Sequence, residues 1–151
     1  PWGRTDMALF RSTKGIITKK KIDIYNHGKM YRDFTYIADV VDGITMLINI
    51  APSLKQFGKI KNDSLSSVAP FRTINIGNTK KVYLLNFIKI LEQELGIKAI
   101  KNFMPIQKGD VKATLSSTSL LKKLTGYNPK TNFKTGIKNF LKWYLSYYKK
   151  R

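Results

Sequence analysis

An α/β fold is what this sequence of 151 residues predicts. Helical patterns alternate along the chain with short runs that read as strands. Gly96, Gly126 and Pro52 fall where helical patterns end, as stop signals should. The apolar share, 42%, is enough to build a core, so a disordered chain is excluded. Strongly apolar strands are too few for a complete parallel sheet, so the chain reads as part of a larger fold.

The elements follow in order. Asp6 is placed to N-cap a first helix carrying "MALFRSTKGIIT". "KIDIYN" reads as a strand, "HGK" as a turn and "FTYI" as a strand or connector. Asp39 is expected to open a helix through "VVDGITMLINI". Residues 52–70 are polar and interrupted by Gly and Pro, which predicts a surface loop. "FRTINIGN" has the composition of a strand. Residues 82–95 place apolar side chains at i, i+3, i+4 and i+7, an amphipathic helix stopped by Gly96. "IKAIKNFMPI" is strand-like, "QKGD" a loop, and "STSLLKKLTG" a short helix with a Ser or Thr cap. The last helix lies in "NFKTGIKNFLKWYLSYYKK", where Phe140, Trp143, Tyr144 and Tyr147 keep helical spacing, which points to core packing rather than base stacking.

Composition excludes several classes of function. There is no Cys, hence no disulfide framework and no thiolate metal site. No apolar run reaches the roughly 20 residues that span a bilayer. The basic "FRSTKGIITKKK" lacks the apolar segment of a signal peptide, and a cytoplasmic location is expected. The net charge of +19 raises a nucleic-acid reading. Against it, the charge is spread along the chain and carried by 23 Lys against 5 Arg, the latter being the residue suited to bidentate phosphate contacts.

Catalytic motifs are missing. None of the ten Gly forms G-x-G-x-x-G or a phosphate-binding loop, and no metal-ligand pattern surrounds the one His, His27. Tyr25 and Lys29 have the spacing of a proton-transferring Tyr-x-x-x-Lys pair, but Asn26 and Gly28 between them break a helix. The two side chains are therefore not expected to share a helical face, and no catalytic residue is assigned.

Five stretches, "PWGRTDMALF", "IDIYNHGKMYRDFTYIADVVDGI", "NIGNTKKVYLLNFIKILE", "FMPIQKGDVKAT" and "LTGYNPKTNFKTGIKNFLKWYLSYY", resemble in their order the C-terminal part of the extended short-chain dehydrogenase/reductase family. Within that family the UDP-glucuronate 4-epimerases are most similar. The resemblance implies a fold of the NAD(P)-binding Rossmann superfamily, with residues 1–151 as its substrate-binding C-terminal region. The Rossmann half, which in the family carries the NAD fingerprint and the catalytic Tyr-x-x-x-Lys, is not in this sequence. The chain accordingly reads as a fragment, one product of a split gene, or a remnant. "FRTINIGN" and "KIDIYN" are expected to pair with or pack on elements of the absent half.

Carried over residue by residue, the resemblance implies four substrate contacts. Tyr25 would lie against the uracil, and Arg32 would bind the diphosphate. Asp110 would accept hydrogen bonds from the ribose hydroxyls, and Arg4 would meet the sugar carboxylate. The chemistry suits these roles, since Arg pairs bidentately with phosphate and carboxylate, and a carboxylate suits a diol. Read without the resemblance, Arg32 is a salt-bridge partner of Asp33 or Asp39, Asp110 a turn residue beside Gly109, Arg4 a surface charge and Tyr25 packing at a strand edge. Gln107 stands where galactose epimerases of the family carry a phosphate-binding Arg, which favours the glucuronate branch. Thr5, Ala38, Lys81 and Asn86 depart from the family pattern.

The implied function is conversion of UDP-glucuronate to UDP-galacturonate for surface polysaccharide, with NAD as cofactor of the complete enzyme. A UDP-sugar, a separate N-terminal Rossmann half and a second copy in a homodimer are the implied partners; no membrane partner is expected. The alternatives are a fragment of another nucleotide-sugar epimerase or dehydratase, a vestigial non-catalytic module, and a basic nucleic-acid-binding domain.

Overall fold

The computed structural model describes residues 4–148. Its elements are α1 (Ala8–Ile17), β1 (Lys21–Ile24), a 3-10 turn (Tyr25–Gly28), β2 (Tyr31–Asp33), α2 (Ile37–Ile48), a second 3-10 turn (Leu54–Gln56), β3 (Lys81–Tyr83), α3 (Leu84–Leu95), β4 (Ile100–Phe103), α4 (Ser119–Thr125) and α5 (Phe133–Tyr148). They form two compact units. The first comprises Pro1–Arg32, Lys81–Thr114 and Lys134–Arg151, and the second Asp33–Lys80 and Leu115–Phe133.

In the first unit β1 pairs in parallel with β4, Lys21 opposite Ile100 through Ile24 opposite Phe103. A second two-stranded sheet joins β2 and β3. Alternation buries Ile22 and Ile24 on one face of β1. They share the core with Ile16 of α1, with Phe87, Ile88 and Leu91 of α3, and with Ile137, Leu141 and Tyr144 of α5. The aromatic stripe of α5 packs on α1: the ring of Phe10 lies 5.1 Å from Phe140 and 5.8 Å from Trp143 and Tyr144. Glu92, buried in α3, accepts hydrogen bonds from the Ala99 amide at 2.9 Å and the Lys101 ammonium at 2.6 Å. Burial pushes its carboxyl up, but these two bonds outweigh that and hold it below the usual range.

The second unit is built on α2, α4 and the chain from α2 to Lys80. Leu121 of α4 is fully buried, and Leu65 is buried inside the 52–70 segment. Asp63 of that segment also forms an ion pair sealed from water with Arg72, just beyond it. Arg72 Nε and Nη2 donate to the two carboxylate oxygens of Asp63, each at 2.9 Å, with both side chains 6% exposed or less. Nothing local in a polar, Gly-interrupted sequence signals such a pair.

Several expectations are corrected. Asp6 does not cap α1; Met7 occupies the cap position without a side-chain bond, because the Asp6 carboxylate is taken by Arg4. Asp39 does not open α2, which begins two residues earlier at Ile37. Its buried carboxylate reaches instead to Thr131, whose amide donates at 2.9 Å and hydroxyl at 3.0 Å, and to the Tyr127 hydroxyl at 3.3 Å. The Tyr127 hydroxyl is pushed up to about 12 by burial first and then by the Asp39 charge. Val82 and Tyr83 leave the helical pattern to form β3, and α3 starts at Leu84. "KIDIYN" finds its partner, β4, within this chain. Residues 71–80 form no strand. A strand exists through hydrogen bonds exchanged with a neighbouring strand, whereas this stretch is held by side chains and turns: the Thr73 amide donates to Ser64 Oγ at 3.1 Å and the Asn78 amide to Asp33 Oδ1 at 3.2 Å.

Candidate functional site

β2 and the segment that follows β4 carry the centre of the site. The Tyr31 amide donates to the Lys112 carbonyl at 2.9 Å, and Tyr31 bridges Ala113 in parallel. This places Arg32 beside the 107–112 loop. Its Nη2 donates to Asp110 Oδ1 at 2.7 Å, while Nη1 donates to the carbonyls of Tyr31 at 2.8 Å and Val111 at 2.9 Å. Asp110 Oδ1 also accepts the Val111 amide at 2.8 Å, so the carboxylate is oriented by its own loop. Both side chains remain 30% exposed. Arg32 thus pairs with Asp110, and not with Asp33 or Asp39. Three of the five donors of its planar fork are engaged, and the fork is held flat and partly open to solvent.

Tyr25 is tied to the same segment through the backbone. It opens the 3-10 turn after β1 and is half-buried. The His27 amide donates to the Met104 carbonyl and the Met104 amide to the Ile24 carbonyl, both at 3.0 Å. Asn26 and His27 take left-handed conformations, φ 49° and 50°. The backbone between Tyr25 and Lys29 is therefore not a right-handed α turn, and the two do not stand on one helical face.

Arg4 lies elsewhere in character. It forms a fully exposed pair with Asp6, Nη2 to Oδ2 at 2.7 Å. The mutual hydrogen bond raises the Arg4 guanidinium and lowers the Asp6 carboxyl. Pro1–Gly3 of the same "PWGR" run lie outside the described residues.

The sequence reading missed Asp33, the residue next to Arg32. Its Oδ1 accepts the Asn78 amide at 3.2 Å. Its Oδ2 accepts the Thr79 amide at 3.1 Å, the Ser116 amide at 3.1 Å and the Ser116 hydroxyl at 2.7 Å. Gly77 lies against this knot: a Cβ there would meet Ser116 Oγ at 1.5 Å and Asp33 Oδ2 at 3.0 Å. The available signal was the "IGN" turn, which calls for an acceptor, but its supplier is 45 residues away. Among the described residues, no group of three His, Cys, Asp or Glu is placed to hold a metal. No helix of the described residues is long and apolar enough to cross a membrane.

No family model matches the chain. Curated proteins do. The chain is 45% identical to an uncharacterized 37.6 kDa protein of Escherichia coli O111:H-, over 99% of its own length and 45% of that protein's. It is 44% identical to Protein CapI of Staphylococcus aureus and 41% identical to a probable UDP-glucuronate 4-epimerase of Rhizobium meliloti, again over 99% of this chain and 45% of each relative. The chain thus spans less than half the length of these relatives. Among solved structures it superposes on the UDP-glucuronic acid 4-epimerase of Bacillus cereus in complex with NAD, with a TM-score of 0.74 and 28% identity, over 99% of this chain and 41% of that one.

An α/β chain with this element order, matching this share of those proteins, corresponds to the C-terminal portion of NAD-dependent epimerases and dehydratases of the short-chain dehydrogenase/reductase type. Within that class, its sequence relatives include UDP-glucuronate 4-epimerases from a bacterium and from Arabidopsis thaliana.

Proposed function

We propose that this chain is the substrate-binding part of an NAD-dependent UDP-glucuronate 4-epimerase, acting in the cytoplasm on a precursor of surface polysaccharide, and that it is inactive without the rest of the enzyme. The observation that supports this most directly is the Arg32–Asp110 pair: a guanidinium oriented by a carboxylate and two carbonyls, with two N–H donors left to meet an anion. Arg32 would take the diphosphate of a UDP-sugar, and Asp110, through its second oxygen, the ribose hydroxyls. Tyr25, tied to the segment leading into Asp110, would lie against the uracil. Arg4, exposed and paired only with a neighbouring carboxylate, would turn to the carboxylate of the sugar. In the complete enzyme a homodimer is expected.

The residues of this chain do not fit an NAD site. A dinucleotide pyrophosphate needs a glycine turn between a strand and the N-terminus of a helix. Here β1 runs into a left-handed turn and β3 passes straight into α3 at Leu84. NAD would supply the hydride chemistry from the other portion of the enzyme, and this chain's part is to bind and orient the sugar nucleotide.

The test pairs two variants in the chain completed with the NAD-binding portion of the Rhizobium meliloti relative. Arg32→Ala is expected to weaken UDP itself by about 2–5 kcal/mol, the usual loss when one side of a sheltered charge contact is removed. Arg4→Ala should leave UDP binding unchanged while UDP-glucuronate loses its advantage over UDP-glucose. Calorimetric titration of the three ligands separates nucleotide from sugar recognition. Equal weakening of UDP and UDP-glucuronate by Arg4→Ala would remove the glucuronate assignment. The chain alone with UDP-glucuronate and NAD should form no UDP-galacturonate.

A further inference from the structure

The rings of Tyr31 in β2 and Tyr83 in β3 lie together, their centroids 3.9 Å apart and their planes tilted by 47°. The Tyr31 hydroxyl donates to the Tyr83 hydroxyl. Tyr83 is 49% exposed and Tyr31 half-buried, so both rings reach solvent. The backbone under them is fixed. The Leu84 amide, next to Tyr83, donates to the carbonyl of Met30, next to Tyr31, at 3.0 Å. On its other side the Tyr31 amide donates to the Lys112 carbonyl at 2.9 Å. The pair stands apart from the Arg32–Asp110 contact, because successive side chains of a strand point to opposite faces. Its place in the chain is particular. The two tyrosines are 52 positions apart and both belong to the first unit, which the chain leaves after Arg32 and re-enters at Lys81. Every residue from Asp33 to Lys80 belongs to the second unit.

We propose that Tyr31 and Tyr83 form an oxidative modification site, at which hydrogen peroxide, acting through a haem peroxidase, joins the two rings as dityrosine. Each phenol loses its hydroxyl proton and one electron. A carbon–carbon bond then forms between the two ring carbons ortho to the hydroxyls. The hydrogen on each of those carbons passes as a proton to the oxygen, which restores both phenols. The peroxide takes up the two electrons and two protons and becomes two waters. Radical coupling needs a second ring within reach before the first radical is quenched, and the shared hydrogen bond brings the two ortho carbons together in advance. Helix α5 offers rival pairs with poorer settings. Tyr144, 4.6 Å from Tyr148, is only 8% exposed, and Tyr147 meets Tyr148 edge-on, at 78°. The link would close the chain from 31 to 83 into a covalent loop, and so restrict the unfolded state as a disulfide does. A chain without Cys has no disulfide to do this.

The experiment treats the purified chain with hydrogen peroxide and a haem peroxidase, then follows dityrosine fluorescence and maps the product by tryptic digestion and mass spectrometry. A monomer carrying the fluorescence is expected. Cleavage after Lys29, Arg32, Lys81 and Lys89 should release residues 30–32 joined to residues 82–89, lighter than their sum by one hydrogen atom from each ring. Tyr31→Phe and Tyr83→Phe each keep the ring and remove the hydroxyl. Each should retain the circular dichroism of the parent chain and lose the joined peptide. The oxidised chain should unfold at a higher urea concentration than the untreated one, and the same treatment should leave the midpoint of the two Phe variants unmoved. A link through Tyr144, Tyr147 or Tyr148 in its place would overturn the proposal. So would dityrosine found only between two chains, or a joined peptide with no rise in the urea midpoint.

Discussion

Asp33→Ala is expected to destabilise the second unit by about 3 kcal/mol, although the residue touches no predicted substrate group. The carboxylate accepts three backbone amides and one hydroxyl, from Asn78, Thr79 and Ser116. Removing an acceptor from a buried donor costs about 1–3 kcal/mol, and water can replace it only at the exposed members of the set. Asn78 is buried, whereas Thr79 is exposed, so the sum falls well short of three full penalties. Asp33→Asn should lose less, because one acceptor oxygen remains. Gly77→Ala attacks the same knot from the other side, since its methyl would displace the Ser116 hydroxyl from Asp33. The two changes should therefore be non-additive, the double variant falling short of the summed losses. Urea unfolding followed by circular dichroism measures all four proteins. A loss below about 1 kcal/mol for Asp33→Ala, or strict additivity, would show that the knot does not hold the unit together.

Arg72→Met should cost about 3–5 kcal/mol, the loss typical when one member of a buried ion pair is removed and the other is left charged in a dry site. The double replacement Arg72→Met with Asp63→Leu should recover most of it. The pair has its own desolvation cost, and among the described residues Arg72 Nη1 is buried with no partner. The same pair gives the unit an acid-labile term. The Arg72 hydrogen bond holds the Asp63 carboxyl below its usual range, against the opposing effect of burial. A carboxyl whose folded pKa is depressed contributes its stability in full above the unfolded value, about 3.9, and loses it as pH falls through the folded one. Stability of the wild-type chain should therefore drop on acidification below about pH 4, and Asp63→Asn, already less stable at neutral pH, should show a shallower drop. Parallel slopes for the two proteins would separate acid unfolding from this pair.

Arg32 and Asp110 were both legible, but through a resemblance rather than through spacing. Seventy-eight residues separate them, and no pattern in the chain announces that they meet. Tyr25 was visible as a residue at a strand end, while the left-handed Asn26 and His27 that set its position were visible only as helix breakers. Arg4 was visible as a charge, and its partner Asp6 was assigned to a helix cap instead. Asp33 and Asp39 read as neighbours for Arg32 or as a cap, and each proved to be an acceptor for a distant loop.

The sequence by itself determined the α/β class, the helices and their stops. α3 keeps its apolar period and ends at a left-handed Gly96, and α4 ends at a left-handed Gly126. These features depend on residues three or four positions apart and on one backbone conformation, so they are written locally. Tertiary structure alone decided which carboxylate serves which donor, because the partners of Asp33 and Asp39 lie up to 83 and 92 residues away. It also decided that "KIDI" became a strand and "FRTINIGN" did not. Both have strand-forming residues, but a strand needs hydrogen bonds from a neighbour, and β4 supplies them to one while no strand among the described residues supplies them to the other.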